Sequence, residues 1–150
     1  MRPDWVWGRL ATGVLLATLL VTGCGKKGDP LPARLTVPVV SDLAAGSEAQ
    51  GVVLTWTIVR QAGEIGGFRI LRSVTPRAAD ACPGCPQDHR PFRDVALADA
   101  RLTTEGHGSF RYVDTEVRGG SYYSYRVAVC DGAGHCGDAS NAGAAVHADR

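Results

Sequence analysis

A period of two in the apolar residues, repeated along the chain, is the feature that most restricts its fold. Successive side chains of a β-strand point to opposite faces, so alternation marks a half-buried strand. In Val52-Val53-Leu54-Thr55-Trp56-Thr57-Ile58, the residues Val52, Leu54, Trp56 and Ile58 share one face, with Gly51 before the run and Gly63 after it. Phe68, Ile70 and then Val74 follow in the segment from Gly66 to Val74, with Arg69 and Arg72 among its polar positions. Phe92 to Leu97 is a weaker run, and Phe110 and Tyr112 alternate between Ser109 and Val113. Tyr123, Tyr125, Val127 and Val129 alternate in the longest run, which ends at Cys130, and Val146 anchors the last. The 19 Gly and 8 Pro fall between these short runs as turn residues, which favours an all-β chain over a helical bundle.

The chain has 150 residues, enough for one ordinary domain and too few for a multidomain enzyme. Its 16 Lys plus Arg nearly balance 15 Asp plus Glu, with no basic or acidic run, which argues against nucleic acid and other polyanions as partners. With a first strand near Val39 to Leu43, the alternating runs make seven short strands. That is the number and spacing of an immunoglobulin-like sandwich.

Residues 1–23 have the layout of an export signal. Arg2 and Arg9 precede an uncharged stretch from Leu10 to Val21 rich in Leu, Val and Ala, followed by the small residues Thr22 and Gly23. A membrane-spanning helix needs roughly 20 apolar residues, more than this stretch supplies, so cleavage is expected. Leu20-Val21-Thr22-Gly23-Cys24 resembles the lipobox of bacterial lipoproteins at every position. A thiol is a strong nucleophile at neutral pH, so Cys24 is suited to take a diacylglyceryl group after cleavage between Gly23 and Cys24. Two or three acyl chains, at about 0.8 kcal/mol per buried methylene, make a stable anchor, so the lipid bilayer is an expected partner through acylated Cys24. The competing reading is a plain secretory signal with an incidental Cys24. The resemblance implies that Gly25, in place of Asp, sends the protein to the outer membrane, facing the periplasm. No twin-arginine signature is present, which leaves the Sec route.

Residues 24–38 read as a lipidated flexible tether, Gly/Pro-punctuated and without period, with Lys26 and Lys27 next to the membrane. In extended polyproline geometry it would reach roughly 40 Å. The run from Cys24 to Pro32 also resembles the start of very small outer-membrane lipoproteins that assist assembly of lipopolysaccharide transport machinery, departing from it at Asp29. That resemblance implies an alternative role as a structural or assembly accessory factor in outer-membrane biogenesis.

Residues 39–148 resemble a fibronectin type III domain. The carriers are Val52-x-Leu54-x-Trp56, Gly67-Phe68-x-Ile70, Tyr112-x-Asp114-Thr115 and Gly120-x-x-Tyr123-x-Tyr125-Arg126-Val127-x-Val129, in the family's order and spacing. The resemblance implies that Trp56 is the core tryptophan of the second strand. It also implies that Tyr123, six residues after Val117, is a tyrosine corner tied down through its hydroxyl. Asp131-Gly132-Ala133-Gly134 would open the last hairpin. The departure from the family is an insertion at 75–91 carrying Ala81-Cys82-Pro83-Gly84-Cys85-Pro86.

Cys82, Cys85, Cys130 and Cys136 are an even number in a chain expected to be exported, so two disulfides are the first expectation. In the sandwich, the loops after the third and sixth strands lie at opposite ends, about 17 to 20 Å apart, which favours Cys82 with Cys85 and Cys130 with Cys136. Cross-pairing requires the insertion to fold back. A metal site on the same four cysteines, with His135 beside Cys136, is a second reading, although Cys130 and Cys136 lack the two-residue gap of a zinc ribbon. A redox role for Cys82-Pro83-Gly84-Cys85 is a third, without the following helix that depresses such a thiol's pKa. Pro86 stands where covalent haem attachment needs His.

No catalytic residue and no cofactor is assigned. His89, His107, His135 and His147 have no nucleophile motif beside them. Gly106-His107-Gly108-Ser109 lacks the closing Gly of a hydrolase elbow and reads as a turn before a strand. The sequence therefore points to a membrane-anchored envelope lipoprotein acting as a non-catalytic binding module. A protein or glycan partner is expected at the insertion, with Pro86, His89 and Arg90 as binding candidates.

Overall fold

The alternating runs become strands of two antiparallel sheets. The computed structural model describes residues 37–58, 65–106 and 108–148; the signal at 1–23 with Gly23, and the tether from Cys24 as far as residue 36, lie outside them, as does His107. In the first sheet β2 (Gly51–Thr57) buries Val52, Leu54 and Trp56 and exposes Thr55 and Thr57. It lies between β1 (Ala44–Glu48) and β6 (Ser109–Asp114), and β5 (Leu102–Glu105) flanks β6, giving the order β1-β2-β6-β5. In the second sheet β3 (Ile65–Thr75) lies between β4 (Arg90–Ala96) and β7 (Tyr122–Asp131), and β8 (Cys136–Ala139) and β9 (Gly143–Val146) both pair with the far side of β7. Lettered A, B, C, C′, D, E, F and G, with β8 and β9 as the two halves of G, the sheets read ABED and C′CFG. This is the strand order of an immunoglobulin-like sandwich.

The inward face of each alternation forms the core. Trp56 of β2 meets Phe68 of β3 edge-on, with ring centroids 5.0 Å apart, and stacks on Phe110 of β6 at 6.0 Å. Aromatic contacts of this kind add about 0.5–1.5 kcal/mol each beyond the area they bury. Leu54, Ile70, Tyr112, Tyr125, Val127 and Val129 complete the buried layer. The Trp56 indole N–H, buried among these rings, has no hydrogen-bond partner.

The described residues hold nine strands rather than the seven expected. The strand placed at Val39 to Leu43 does not form, and the first ladder begins at Ala44. Val40 and Leu43 still enter the core, but Leu43 bonds through both its N–H and its C=O to the Asn141 side chain, and Asp42 bonds to Thr57. Side chains here replace a ladder. Strand β5 has no visible period because Leu102 is its one buried residue. The last strand is split where Ser140 takes Val127 out of the ladder: its hydroxyl accepts from the Val127 N–H and its own N–H donates to the Val127 carbonyl, both at 2.9 Å.

Two turn positions require glycine. Gly108 sits at φ +90°, where a side chain would also crowd the Ile58 carbonyl, and Gly134 sits at φ +84° in the β7–β8 hairpin. The tyrosine corner forms as the family resemblance implies: the Arg118 N–H donates to the Tyr123 hydroxyl at 2.6 Å.

Candidate functional site

The insertion between β3 and β4 is fastened to the sheet at several points. Its first residues are tied to the turn before β7, where the Ala78 N–H donates to the Gly120 carbonyl (2.8 Å) and the Ser121 hydroxyl donates to the Pro76 carbonyl (3.0 Å). A 3₁₀ turn over Ala78–Asp80 follows. Cys82 and Cys85 are joined in a disulfide with Cα atoms 5.3 Å apart, and the Cys85 N–H closes the turn onto the Cys82 carbonyl at 3.0 Å. The Gln87 amide nitrogen donates to both cysteine carbonyls, at 3.0 Å to Cys82 and 3.2 Å to Cys85. Three hydrogen bonds thus brace the turn beside its disulfide.

His89 is the peg that holds the end of the insertion. Its Nδ1 lies 3.1 Å from the Gln87 carbonyl and its Nε2 lies 2.9 Å from Ser124 Oγ. A carbonyl only accepts, so Nδ1 carries the proton and Nε2 accepts from the Ser124 hydroxyl. Tyr123 and Tyr125 point into the core, so Ser124 between them points outward, yet it is only 2% exposed. The insertion thus lies against the outer face of the C′CFG sheet. Burial lowers the imidazole pKa, and the Arg126 charge lowers it further, against the opposing pull of the Gln87 carbonyl and Asp88. The neutral ring is the form that fits. The Ser124–His89 contact has the hydroxyl–imidazole geometry of a nucleophile and base, but the burial of Ser124 keeps a substrate from its hydroxyl.

Of the three binding candidates, then, His89 is turned inward. Arg90, the first residue of β4, is exposed and paired with Asp88 at 2.7 Å, and Pro86 is exposed. What the insertion presents outward is Pro83, Gly84, Pro86 and the Cys82–Cys85 disulfide. Elsewhere, His135 Nδ1 lies 3.3 Å from Asp131, and His147 Nδ1 lies 3.0 Å from the Ser47 hydroxyl.

The second disulfide, Cys130–Cys136, joins β7 to β8 with Cα atoms 3.9 Å apart. Inside the hairpin it closes, the Asp131 carboxylate accepts from the His135 and Ala133 N–H groups, both at 2.9 Å, and these bonds, that from His135 foremost, hold its pKa below the ordinary value. The pairing is the local one. The insertion reaches β7 at Ser124, and Cys130 lies about 20 Å further along at roughly 3.4 Å per residue. In the structure the four cysteines pair locally, Cys82 with Cys85 and Cys130 with Cys136, rather than across. Among the described residues no group of three or more His, Cys, Asp and Glu side chains is placed to hold a metal ion.

The sequence reading missed two features. A cleft of about 310 Å³ lies at the Cys130 end of the second sheet, lined by Gly67, Arg69, Asp94, Ala96, Cys130 and Gly134. Its charged lining residues are Arg69 and Asp94, paired at 2.7 Å, and Asp131. Asp114, of the Tyr112-x-Asp114-Thr115 run, is 1% exposed and accepts from Arg72 Nη1 (2.8 Å), the Tyr125 hydroxyl (2.8 Å) and the Glu116 N–H (2.9 Å). Burial, and then the Asp114 charge, raise the Tyr125 pKa, so the phenol remains a donor. Arg72 also lies over the Phe92 ring at 3.6 Å. The cluster ties β6 of one sheet to β3 and β7 of the other.

The described residues thus form an all-β, disulfide-closed two-sheet sandwich. No family model and no curated protein matches the chain. Among solved structures, a beta-1,2-glucanase from Parabacteroides distasonis is similar over 81% of this chain and 14% of its own length, at 14% identity and a TM-score of 0.42.

Proposed function

We propose that the chain is a lipid-anchored envelope lipoprotein whose sandwich domain is a non-catalytic binding module. The observation that carries the binding reading is the insertion: an exposed turn, Cys82 to Pro86, held against the sheet by Gln87 and His89. A loop already ordered loses little conformational entropy when a partner docks on it. The anchor rests on the resemblance of residues 20–24 to a lipobox, and the partner, a protein or glycan of the envelope, on the fold class and the exposed loop.

Two experiments test this reading. The wild-type protein should fractionate with membranes and be released by detergent, whereas Cys24→Ser should appear in the soluble fraction; a wild type found soluble would refute the anchor. Nothing lies within 4 Å of where a side chain on Gly84 or Gly46 would begin. A photo-crosslinking residue at Gly84 should therefore be tolerated and should capture an envelope component that the same residue at Gly46 does not. Equal or absent capture at the two positions would count against the loop as the binding surface.

A further inference from the structure

We propose that the Cys82–Cys85 disulfide is a thiol–disulfide exchange site that accepts two electrons from a dithiol protein in the same compartment, while Cys130–Cys136 remains a permanent staple. The two bonds differ in access. Cys82 and Cys85 are both exposed, on the outward side of the insertion, and a side chain at Gly84 would meet nothing within 4 Å. Cys130 is 7% exposed, Cys136 is half-buried, and their bond is built into the β7–β8 ladder. Exchange requires in-line attack by an external thiolate on a disulfide sulfur, so access decides which of two bonds reacts.

They differ also in what reduction would undo. Cys130–Cys136 joins two strands, whereas Cys82–Cys85 closes a turn that the Cys85 N–H, the Gln87 amide and the His89–Ser124 bond already hold. After reduction those bonds would keep the two thiols facing each other, ready to close again. A depressed pKa at Cys82 or Cys85 is not required in this direction, because the attacking thiolate belongs to the partner.

The electron count closes in two displacements. A partner thiolate attacks one sulfur of the pair, the Cys82–Cys85 bond breaks, and the departing cysteine thiolate takes a proton. The partner's second thiolate then attacks its own sulfur in the mixed disulfide and releases the other cysteine. The products are the Cys82, Cys85 dithiol and a disulfide in the partner, so two electrons and two protons have moved.

The test uses the oxidised full-length protein in detergent and a reduced dithiol protein of the thioredoxin type. Samples are quenched in acid, alkylated and mapped by peptide mass, with near-ultraviolet circular dichroism reporting the aromatic core. Thiols at Cys82 and Cys85 should appear at least ~100-fold faster than at Cys130 and Cys136, with the core signal unchanged. A probe lacking its second cysteine should stop at a mixed disulfide on Cys82 or Cys85. In acid-quenched cells, part of the Cys82, Cys85 pair should be found as dithiol and none of the other. Equal rates, reduction that proceeds only with loss of the core signal, or a pair fully oxidised in cells would each overturn the proposal.

Discussion

Asp114→Asn should cost the sandwich about 3 kcal/mol, and the figure follows from the bonds around the carboxylate. Oδ2 accepts from both Arg72 and Tyr125, and Oδ1 accepts from the Glu116 N–H. An asparagine offers one acceptor and one donor in their place. With its NH₂ at the Oδ2 position it faces two donors, and flipped it faces the Glu116 N–H, so every orientation leaves donor against donor. Hydrogen bonds to charged groups contribute about 1.5–3 kcal/mol, and breaking a buried ion pair from one side costs about 3–5 kcal/mol. Arg72, with a side chain 19% exposed, recovers part of this by turning toward water, which places the loss near the lower bound. Tyr125→Phe removes a single donor and leaves the carboxylate two others, so about 1 kcal/mol is expected. For a domain of this size 1 kcal/mol shifts Tm by roughly 4 °C, giving drops of about 12 °C and about 4 °C. Urea unfolding followed by tryptophan fluorescence, with m-values unchanged, measures both. An Asp114→Asn loss below about 1 kcal/mol, or below that of Tyr125→Phe, would refute the claim that this carboxylate locks the two sheets together.

Further consequences are open to measurement. Because the His89 pKa is lowered in the fold, its contribution to holding the insertion is complete above the unfolded value of about 6.5 and is lost as pH falls through the folded value. Protection of the insertion's amides, taken relative to the intrinsic exchange rate at each pH, should fall on acidification in the wild type and lose that dependence in His89→Gln; identical profiles would remove His89 as the peg. Tyr123→Phe leaves the Arg118 N–H without its acceptor and should cost about 1–2 kcal/mol in urea unfolding, and a change within ~0.3 kcal/mol would mean that water takes over the bond. A Cβ on Gly67 would overlap the Val95 carbonyl in the neighbouring strand, so Gly67→Ala should cost about 2 kcal/mol or more by thermal melting, while Gly84→Ala, facing open space, should stay within ~0.5 kcal/mol. Equal effects of the two would show that β3 and β4 separate at little cost.

The class of fold was legible because inward apolar side chains recur at every second position in β2, β3, β6 and β7, whatever covers their outer faces. The strands that escaped detection are those that bury too little to need a pattern. β5 contributes Leu102 alone, and β8, Cys-Gly-Asp-Ala, has no fully buried residue. Conversely Val39 to Leu43 read as a strand because Val40 and Leu43 are core residues, although their backbone answers to Asn141 rather than to a ladder. Burial can be read from composition and spacing, whereas the identity of a hydrogen-bond partner 98 positions away cannot.

The site shows the same division more sharply. The cysteines announced themselves, and their local pairing followed once strand order placed their loops at opposite ends. His89 did not, because its role is defined by Ser124, 35 positions later, on the outward side of a strand whose inward side carries the whole periodic signal. An outward Ser between two core tyrosines has the pattern of a solvated residue. Only the insertion folding back over β7 buries it, and a hydroxyl buried in this way needs a partner. His89 supplies one while its other nitrogen bonds Gln87, whose side chain grips the carbonyls of Cys82 and Cys85. One buried contact on the sheet therefore sets the attitude of an exposed turn several residues away. A loop fixed through such a relay is presented in a single orientation.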